Sequence, residues 1–109
     1  MLSRRKTLLV GFAIACVVFF GAILFLSEWN SRRYKVEHAR ACISNLMQID
    51  GAKLQWAIET SQPTNAAPSR EQVALYILGG FPKCSSGGTY EIKAINVNPT
   101  CTITNHVLR

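Results

Sequence analysis

Four cysteines and two histidines are the residues of this sequence with the most obvious chemistry, since thiols pair as disulfides and both side chains bind metals. The two cysteines nearest the carboxyl end, Cys84 and Cys101, flank a stretch rich in glycine, threonine, tyrosine and isoleucine. We predict that this pair forms a disulfide. Closing a loop of this length would stabilise a small domain by about 3 kcal/mol. Cys16 lies in an apolar run, and Cys42 is expected to be a buried thiol on a helix.

Zinc is the alternative use of the Cys84 and Cys101 pair, with His38 or His106 completing the ligand set. Neither spacing resembles a zinc finger or a zinc ribbon, so the sequence predicts no metal and no cofactor. Calcium is not expected either, because it needs clustered oxygen ligands and Glu91 is the sole acid after residue 80. We interpret His38 as facing lipid headgroups and His106 as part of a frayed tail.

Catalytic constellations are not recognisable in the sequence. The acids beyond residue 35 are scattered, with no pair spaced for general acid and base roles. The serines and cysteines do not stand in a nucleophile-elbow or papain-like context. Gly87 and Gly88 precede a predicted strand rather than a helix, which favours a turn over a phosphate loop. The sequence therefore predicts a protein that is not an enzyme.

A run of 21 residues without a charge, from Thr7 to Ser27, dominates the amino-terminal part of the chain. At about 1.5 Å per helical residue it spans roughly 30 Å, the thickness of the hydrocarbon core of a bilayer. We predict a transmembrane helix over 7–27, preceded by a basic cytoplasmic segment over 1–6. The run is too long for a cleaved signal peptide, and Trp29 is placed as an interfacial anchor of a retained span.

The net charge of +6 is concentrated around this run. From Val36 onward six basic residues stand against five acidic ones, a balance of +1. This distribution favours membrane topology over nucleic-acid binding. The positive-inside count is tied, but the terminal amine and a cysteine pair suited to an oxidising compartment favour a cytoplasmic amino terminus and a periplasmic 28–109. The flanking basic residues are Arg4, Arg5, Lys6, Arg32, Arg33 and Lys35.

Apolar residues recur at three- and four-residue steps beyond the span and predict an amphipathic helix over 34–60. Joined to the span, this helix would run from near Thr7 to near Thr60. The apolar stripe of this helix must be buried by residues from the rest of the chain. Asp50 and Lys53 are interpreted as a weak surface pair. The stripe residues are Val36, Ala39, Ile43, Leu46, Ile49 and Trp56.

The remaining sequence predicts the elements that bury this stripe. Two prolines and small polar residues indicate a loop over 61–68. Ser69 and Gln72 form a capping-box pattern at the start of a short helix over 70–78, which a glycine pair ends. An alternating pattern over 89–95 and a second one over 100–104 predict an antiparallel β-hairpin over 88–105. The fold class is thus α+β, with a long helix, a short helix and a disulfide-tied hairpin.

Two stretches, ACISNLMQIDGAKLQWA at 41–57 and FPKCSSGGTYEIKAINVNPTC at 81–101, resemble bacterial prepilin-type proteins of the type II secretion pseudopilin and type IV pilin class. The resemblance implies an inner-membrane protein of lollipop shape and pilin-like fold. It also implies partners: copies of the chain, other pilin-like subunits, and a secretion or pilus machinery. The function it implies is that of a non-enzymatic structural subunit that packs through its amino-terminal helix.

The amino terminus departs from the pattern of that family. Gly11 and Phe12 match the prepilin cleavage junction, but Cys16 occupies the position where the family has a glutamate. Four further residues separate the basic segment from Gly11. This departure favours an alternative: a stand-alone single-pass membrane protein that presents a small periplasmic binding domain and does not assemble into a filament.

Overall fold

The computed structural model describes residues 2–108 and has an α+β fold. Helix α1 spans Leu2–Glu59, and helix α2 spans Arg70–Ala74. Strands β1, Tyr90–Glu91, and β2, Thr100–Cys101, form a two-stranded antiparallel sheet. The predicted order of a long helix, a short helix and a small antiparallel sheet is confirmed.

The chain divides into two compact units, Met1–Lys35 and Val36–Arg109. The described part of the first unit is helical throughout. Its large apolar side chains are exposed, which is typical of a surface that contacts lipid or other helices rather than water. By length and composition, α1 is long and apolar enough to cross a membrane. The largest exposed side chains of this surface are Phe12, Phe19, Phe20, Phe25 and Trp29.

Aromatic and basic side chains meet where the apolar run of the first unit ends. The rings of Phe25 and Trp29 are stacked with centroids 6.2 Å apart. The guanidinium of Arg33 lies 5.7 Å from the centroid of the Trp29 ring. An aromatic ring combined with a cation is typical of a helix segment at the interface between lipid and water.

The core of the second unit is built on one face of α1. Leu46 and Ile49 are fully buried there, and each such burial stabilises the fold by about 1.5–3 kcal/mol. Of the other predicted stripe residues, Trp56 is buried, Ala39 and Ile43 are half-buried, and Val36 is exposed. Val36 differs from the expectation because the core begins one and a half turns later, at Cys42. The buried cluster comprises Cys42, Leu46, Ile49, Ala52, Val73, Ile77, Cys84 and Tyr90.

Helix α2 begins at the predicted residue and ends before the predicted one. The hydroxyl of Ser69 accepts a hydrogen bond from the backbone amide of Gln72, and the Gln72 side chain accepts one from the Ser69 amide. The predicted helix over 70–78 stops at Ala74. Beyond it the amides of Tyr76 and Ile77 bond three residues back instead of four, a tighter turn that buries Ile77.

The sheet is shorter than the predicted hairpin over 88–105. Its register pairs Tyr90 with Cys101 and Glu91 with Thr100. The expected strand over 89–95 leaves the sheet after Glu91, and Lys93 has a φ of +61°, which no strand residue adopts. The physical reason is that backbone groups of 92–97 form hydrogen bonds with Lys53 and with the loop at 64–66 instead of with a partner strand.

The buried side chain of Lys53 holds the 92–97 segment. Its Nζ donates hydrogen bonds to the carbonyl oxygens of Ile92, Ala94 and Val97 at 3.0, 3.0 and 2.6 Å. Asp50 lies 3.5 Å from the same nitrogen. The expectation of a surface pair is therefore wrong for Lys53, which is completely buried. An alternating sequence cannot reveal that an ammonium group will compete with a partner strand for these carbonyls.

The contribution of Lys53 to stability should depend on pH at the alkaline end. Burial lowers the pKa of its ammonium group from 10.5, against the opposing attraction of Asp50. Because the folded protein then releases this proton at a lower pH than the unfolded chain, stability rises with pH between the two pKa values. We expect the destabilisation by Lys53→Met to grow as the pH approaches 10.5. Unfolding free energies of both proteins across this range measure it, and a shrinking difference would contradict it.

Candidate metal centre

Three cysteines and one histidine converge in the second unit. Each of Cys42, Cys84, Cys101 and His106 offers one ligand atom, and these four atoms lie within 4.8 Å of one another. Sulfur and imidazole nitrogen are the donors that proteins use for structural zinc. The four residues, here called the Cys3His cluster, form the candidate site of this chain.

Each residue of the Cys3His cluster comes from a different segment. Cys42 lies on the buried face of α1, and Cys101 lies in β2. Cys84 precedes a turn closed by a hydrogen bond from the Gly87 amide to the Cys84 carbonyl. His106 follows β2, and the chain reverses there through a bridge between Thr100 and Val107. The cluster therefore connects α1 to the turn at Cys84, to β2 and to the segment that follows β2.

The cluster is shielded from water. Cys42 is completely buried, and Cys84 and His106 are 8% and 5% exposed. Cys101 is half-buried. The Sγ of Cys84 lies 3.7 Å from Nδ1 of His106. Polar groups so far from solvent need partners within the protein or a bound ligand.

The loop after Cys84 is shaped to favour a thiolate. Burial raises the pKa of the Cys84 thiol, but hydrogen bonds from the backbone amides of Ser86 and Gly88, with a smaller one from His106, lower it to about 6. Gly87, between these amides, has a φ of +82°, which glycine adopts without strain. Backbone amides directed at sulfur stabilise its negative charge without adding a side chain.

The pKa of Cys42 is shifted in the opposite direction to that of Cys84. Burial raises its pKa to about 12, and the neighbouring Cys101 and Cys84 add to the effect. Burial also raises the pKa of Tyr90, whose hydroxyl accepts a hydrogen bond from the Asn45 amide at 3.0 Å. The surroundings of the cluster therefore shift the pKa values of Cys84 and Cys42 in opposite directions.

Gly88 is packed against the cluster. A Cβ atom on Gly88 would lie 2.6 Å from Cγ1 of Ile103 and 2.7 Å from Sγ of Cys101. We expect Gly88→Ala to destabilise the second unit by about 1–3 kcal/mol through overpacking. The matched control is Gly51→Ala in α1, where no atom lies within 4 Å, and alanine there should stabilise the helix by about 1 kcal/mol. Urea unfolding would contradict this prediction if both changes had the same sign.

The predicted disulfide between Cys84 and Cys101 is not formed in the structure, where both thiols are free. The sequence argument considered these two cysteines as an isolated pair, whereas Cys42 and His106 meet them in the same place. The expectation of a frayed tail at His106 is wrong, because this ring is buried. The other histidine, His38, lies outside the cluster, with its Nδ1 hydrogen-bonded to the Ser85 hydroxyl.

Gly11 and Phe12, the predicted cleavage junction, lie inside α1 in the first unit. Phe12 is exposed, and no atom lies close to the position that a Cβ on Gly11 would take. Cys16, the cysteine nearest to them, is half-buried and separate from the Cys3His cluster. The junction therefore remains a prediction from the sequence.

Sequence reasoning missed Cys42 as a member of the site. The signal was present, since Cys42, Leu46, Ile49 and Lys53 follow one another at steps of three and four residues and therefore share a helix face. A cysteine on the face that the hairpin must bury is placed to meet Cys101 of that hairpin and Cys84, which precedes it. Metal-site spacing rules overlook such a ligand because it is distant in sequence.

Comparison with protein families, with curated proteins and with solved structures finds no match to this chain. The class of the protein is accordingly defined by its own features: an α+β fold, one helix that could span a membrane, and a buried Cys3His cluster.

Proposed function

We propose that this chain is a non-enzymatic structural subunit of pilin type, anchored in the bacterial inner membrane. The observation that supports it most is helix α1 itself. Its first part carries exposed apolar side chains, and its last part supplies the core against which the chain from 73 onward packs. A helix used in this way can anchor the chain and offer an apolar surface to neighbouring helices, which in lipid associate by close packing.

The polar groups of the second unit favour a structural role. Lys53 and Tyr90 have shifted pKa values, a property that active sites share, but their partners are backbone carbonyls and the Asn45 side chain. Such contacts hold loops and strands in place. They support a unit that is built for stability rather than for turnover.

The proposed topology has the amino terminus in the cytoplasm and residues 28–109 in the periplasm. The terminal amine adds a positive charge to Arg4, Arg5 and Lys6, which otherwise balance the three basic residues beyond the span. A Cys84 to Cys101 disulfide, which stays a prediction from the sequence, would favour the same topology because it suits an oxidising compartment.

Photo-cross-linking in cells tests the proposal without disturbing the cysteines. A photoreactive amino acid in place of Phe19, which is 66% exposed in the apolar part of α1, should yield adducts with copies of the chain or with other membrane subunits. The same amino acid in place of Leu78, exposed on the second unit, serves as the reference for random collision. Equal, low adduct yields at both positions would count against assembly.

The alternative is a stand-alone single-pass membrane protein that presents the second unit to a partner. The observation that favours it is Cys16, which stands where prepilin-type proteins have a glutamate. Mass spectrometry of the native amino terminus distinguishes the two. A chain that begins at Phe12 supports prepilin processing, and an intact Met1 supports the stand-alone protein.

A further inference from the structure

We propose that Cys42, Cys84, Cys101 and His106 bind a zinc ion in a tetrahedral Cys3His site that ties α1 to the carboxyl-terminal chain. This inference concerns the second unit alone and goes beyond the proposed function. It does not depend on whether the protein assembles with copies of itself.

The spacing of the donors fits a zinc ion. With zinc–sulfur bonds of about 2.3 Å and zinc–nitrogen bonds of about 2.0 Å, the ligand atoms of a tetrahedral site lie roughly 3.6–3.8 Å apart. The Sγ of Cys84 and Nδ1 of His106 are 3.7 Å apart, and all four donors lie within 4.8 Å of one another. Donors 4.8 Å apart would have to approach one another by about 1 Å to reach this spacing.

The chemistry of the donors selects the metal and its role. Three sulfurs and one imidazole are ligands for zinc and other soft or borderline metals, and they are poor ligands for magnesium or calcium. Four protein ligands complete the tetrahedron and leave no position for water or substrate. Such closed sites stabilise a fold, whereas catalytic zinc keeps an open position.

The charges of the second unit are compatible with a cation at this place. Three sulfurs gathered in the interior cannot all ionise without a positive charge beside them. The buried ammonium of the unit, on Lys53, is directed at the carbonyls of Ile92, Ala94 and Val97 instead. A bound divalent cation would supply that charge and allow the thiols to act as thiolate ligands.

The surroundings of the cluster orient its ligands. The turn after Cys84 is closed by a hydrogen bond from the Gly87 amide to the Cys84 carbonyl, and it fixes the backbone that carries this sulfur. Gly88 has no space for a side chain because the sulfurs of Cys101 and Cys84 are next to it. Cys84 and Gly88 also line a surface groove of about 370 Å³.

A disulfide between Cys84 and Cys101 would use only half of the cluster. It would leave the thiol of Cys42 and the ring of His106 buried beside it, without one ion that both could bind. Zinc uses all four donors, and it explains why a helix, a loop, a strand and the carboxyl-terminal segment each place one of them at the same point.

Metal binding by the full chain in detergent tests the proposal. Protein prepared with a reductant should bind one zinc ion per chain, and cobalt should give the visible bands of tetrahedral coordination together with thiolate charge-transfer absorption. Cys16→Ser and His38→Ala are the matched controls, since these residues lie outside the cluster, and both should bind like the wild type. Equal zinc binding by wild type and His106→Ala would overturn the proposal.

Two substitutions keep the test decisive if removal of a buried ligand impairs folding. His106→Ala should weaken zinc binding by more than about tenfold, because loss of a ligand exceeds the usual effect of losing an outer-shell partner. His106→Cys preserves four donors and should retain zinc, with stronger thiolate charge-transfer absorption for cobalt. Loss of zinc from both variants with retained folding would contradict the expectation for His106→Cys, and retention by both would exclude His106 as a ligand and overturn the site.

The state of the thiols in cells provides the second measurement. Thiols are blocked in intact cells before lysis, and peptides are analysed by mass spectrometry without reductant. We expect Cys42, Cys84 and Cys101 to be recovered without a disulfide. A Cys84 to Cys101 disulfide would overturn the proposal, and it would leave cross-linking at Phe19 unaffected, so failure of the zinc site and failure of pilin-type assembly are distinguishable.

Discussion

Replacing Lys53 with methionine should lower the free energy of unfolding of the second unit by about 3 kcal/mol or more. Methionine keeps the apolar stem of the side chain and removes its ammonium group. The carbonyls of Ile92, Ala94 and Val97 then lose a charged donor within hydrogen-bond distance. Each buried carbonyl left without a partner costs about 1–3 kcal/mol, which part of the segment can recover by moving toward water.

Fluorescence of Trp56 reports the effect, because this side chain is 7% exposed and lies in the second unit. A Trp29→Phe background makes Trp56 the sole tryptophan of the chain. Lys83→Met is the matched control, since it removes the same charge from an exposed side chain. We expect urea midpoints to fall only for Lys53→Met, and equal midpoints for both variants would show that the three carbonyl contacts contribute little.

Hydrogen exchange locates the effect within the unit. The amides of Ile95 and Asn96 donate to the carbonyls of Ala66 and Thr64, so the 92–97 segment is held from one side by this loop and from the other by Lys53. Loss of the ammonium group should accelerate exchange at both amides more than at the amides of α1. Uniform acceleration across the unit would indicate a global rather than a local role.

Much of the fold could be predicted from local sequence signals. The uncharged run and the stripe at three- and four-residue steps determine the long helix, since both depend on periodicity along one segment. The capping box at Ser69 and Gln72 likewise acts within a few residues, and the structure forms it. These features need no knowledge of what packs against them.

The sequence could not predict where the hairpin would end. Alternation over 89–95 is a genuine strand signal, but the carbonyls of this segment bond to Lys53, some forty residues earlier in the chain. The same limit applies to Lys53 itself, whose charge indicates an exposed residue. A buried ammonium surrounded by carbonyls is a tertiary feature, and local propensity carries no information about it.

The Cys3His cluster shows what a pairwise interpretation of the cysteines leaves out. Cys84 and Cys101 are close enough in sequence to suggest a disulfide. Cys42 lies on a predicted helix, where burial in the core is enough to explain a cysteine. Only the packing of the sheet against α1 places the third sulfur beside the other two. Spacing rules for zinc are derived from short loops, so they do not include a ligand delivered by a helix more than forty residues away.

If the proposed zinc is bound, its removal should destabilise the second unit more than substitution of Lys53 or Gly88. Zinc binding to small structural sites contributes about 10–16 kcal/mol at neutral pH, comparable with or above the whole stability of a domain. Here each strand has two residues, so the backbone ladder alone holds the carboxyl-terminal chain weakly. A chelator added to the full chain in detergent should lower the urea midpoint reported by Trp56 and expose Tyr90.

The helix of the first unit provides an internal reference for this experiment. Its described residues contain none of the four donors, so far-ultraviolet circular dichroism should retain the helical signal of 2–35 while the second unit loses its folded packing. Zinc should restore the packing, and calcium should not, because the donors are sulfur and nitrogen. Restoration by calcium would indicate an oxygen site elsewhere and contradict the assignment.

A double comparison separates the metal from general effects of the chelator. If the four donors act together through one ion, His106→Ala holds that ion more weakly, so the chelator should shift the midpoint of the variant less than that of the wild type. Substitution and chelation are then non-additive, as expected for two perturbations of the same interaction. Additive shifts would mean that His106 stabilises the core by packing alone, and the cluster would then be a buried group of thiols beside an imidazole rather than a metal site.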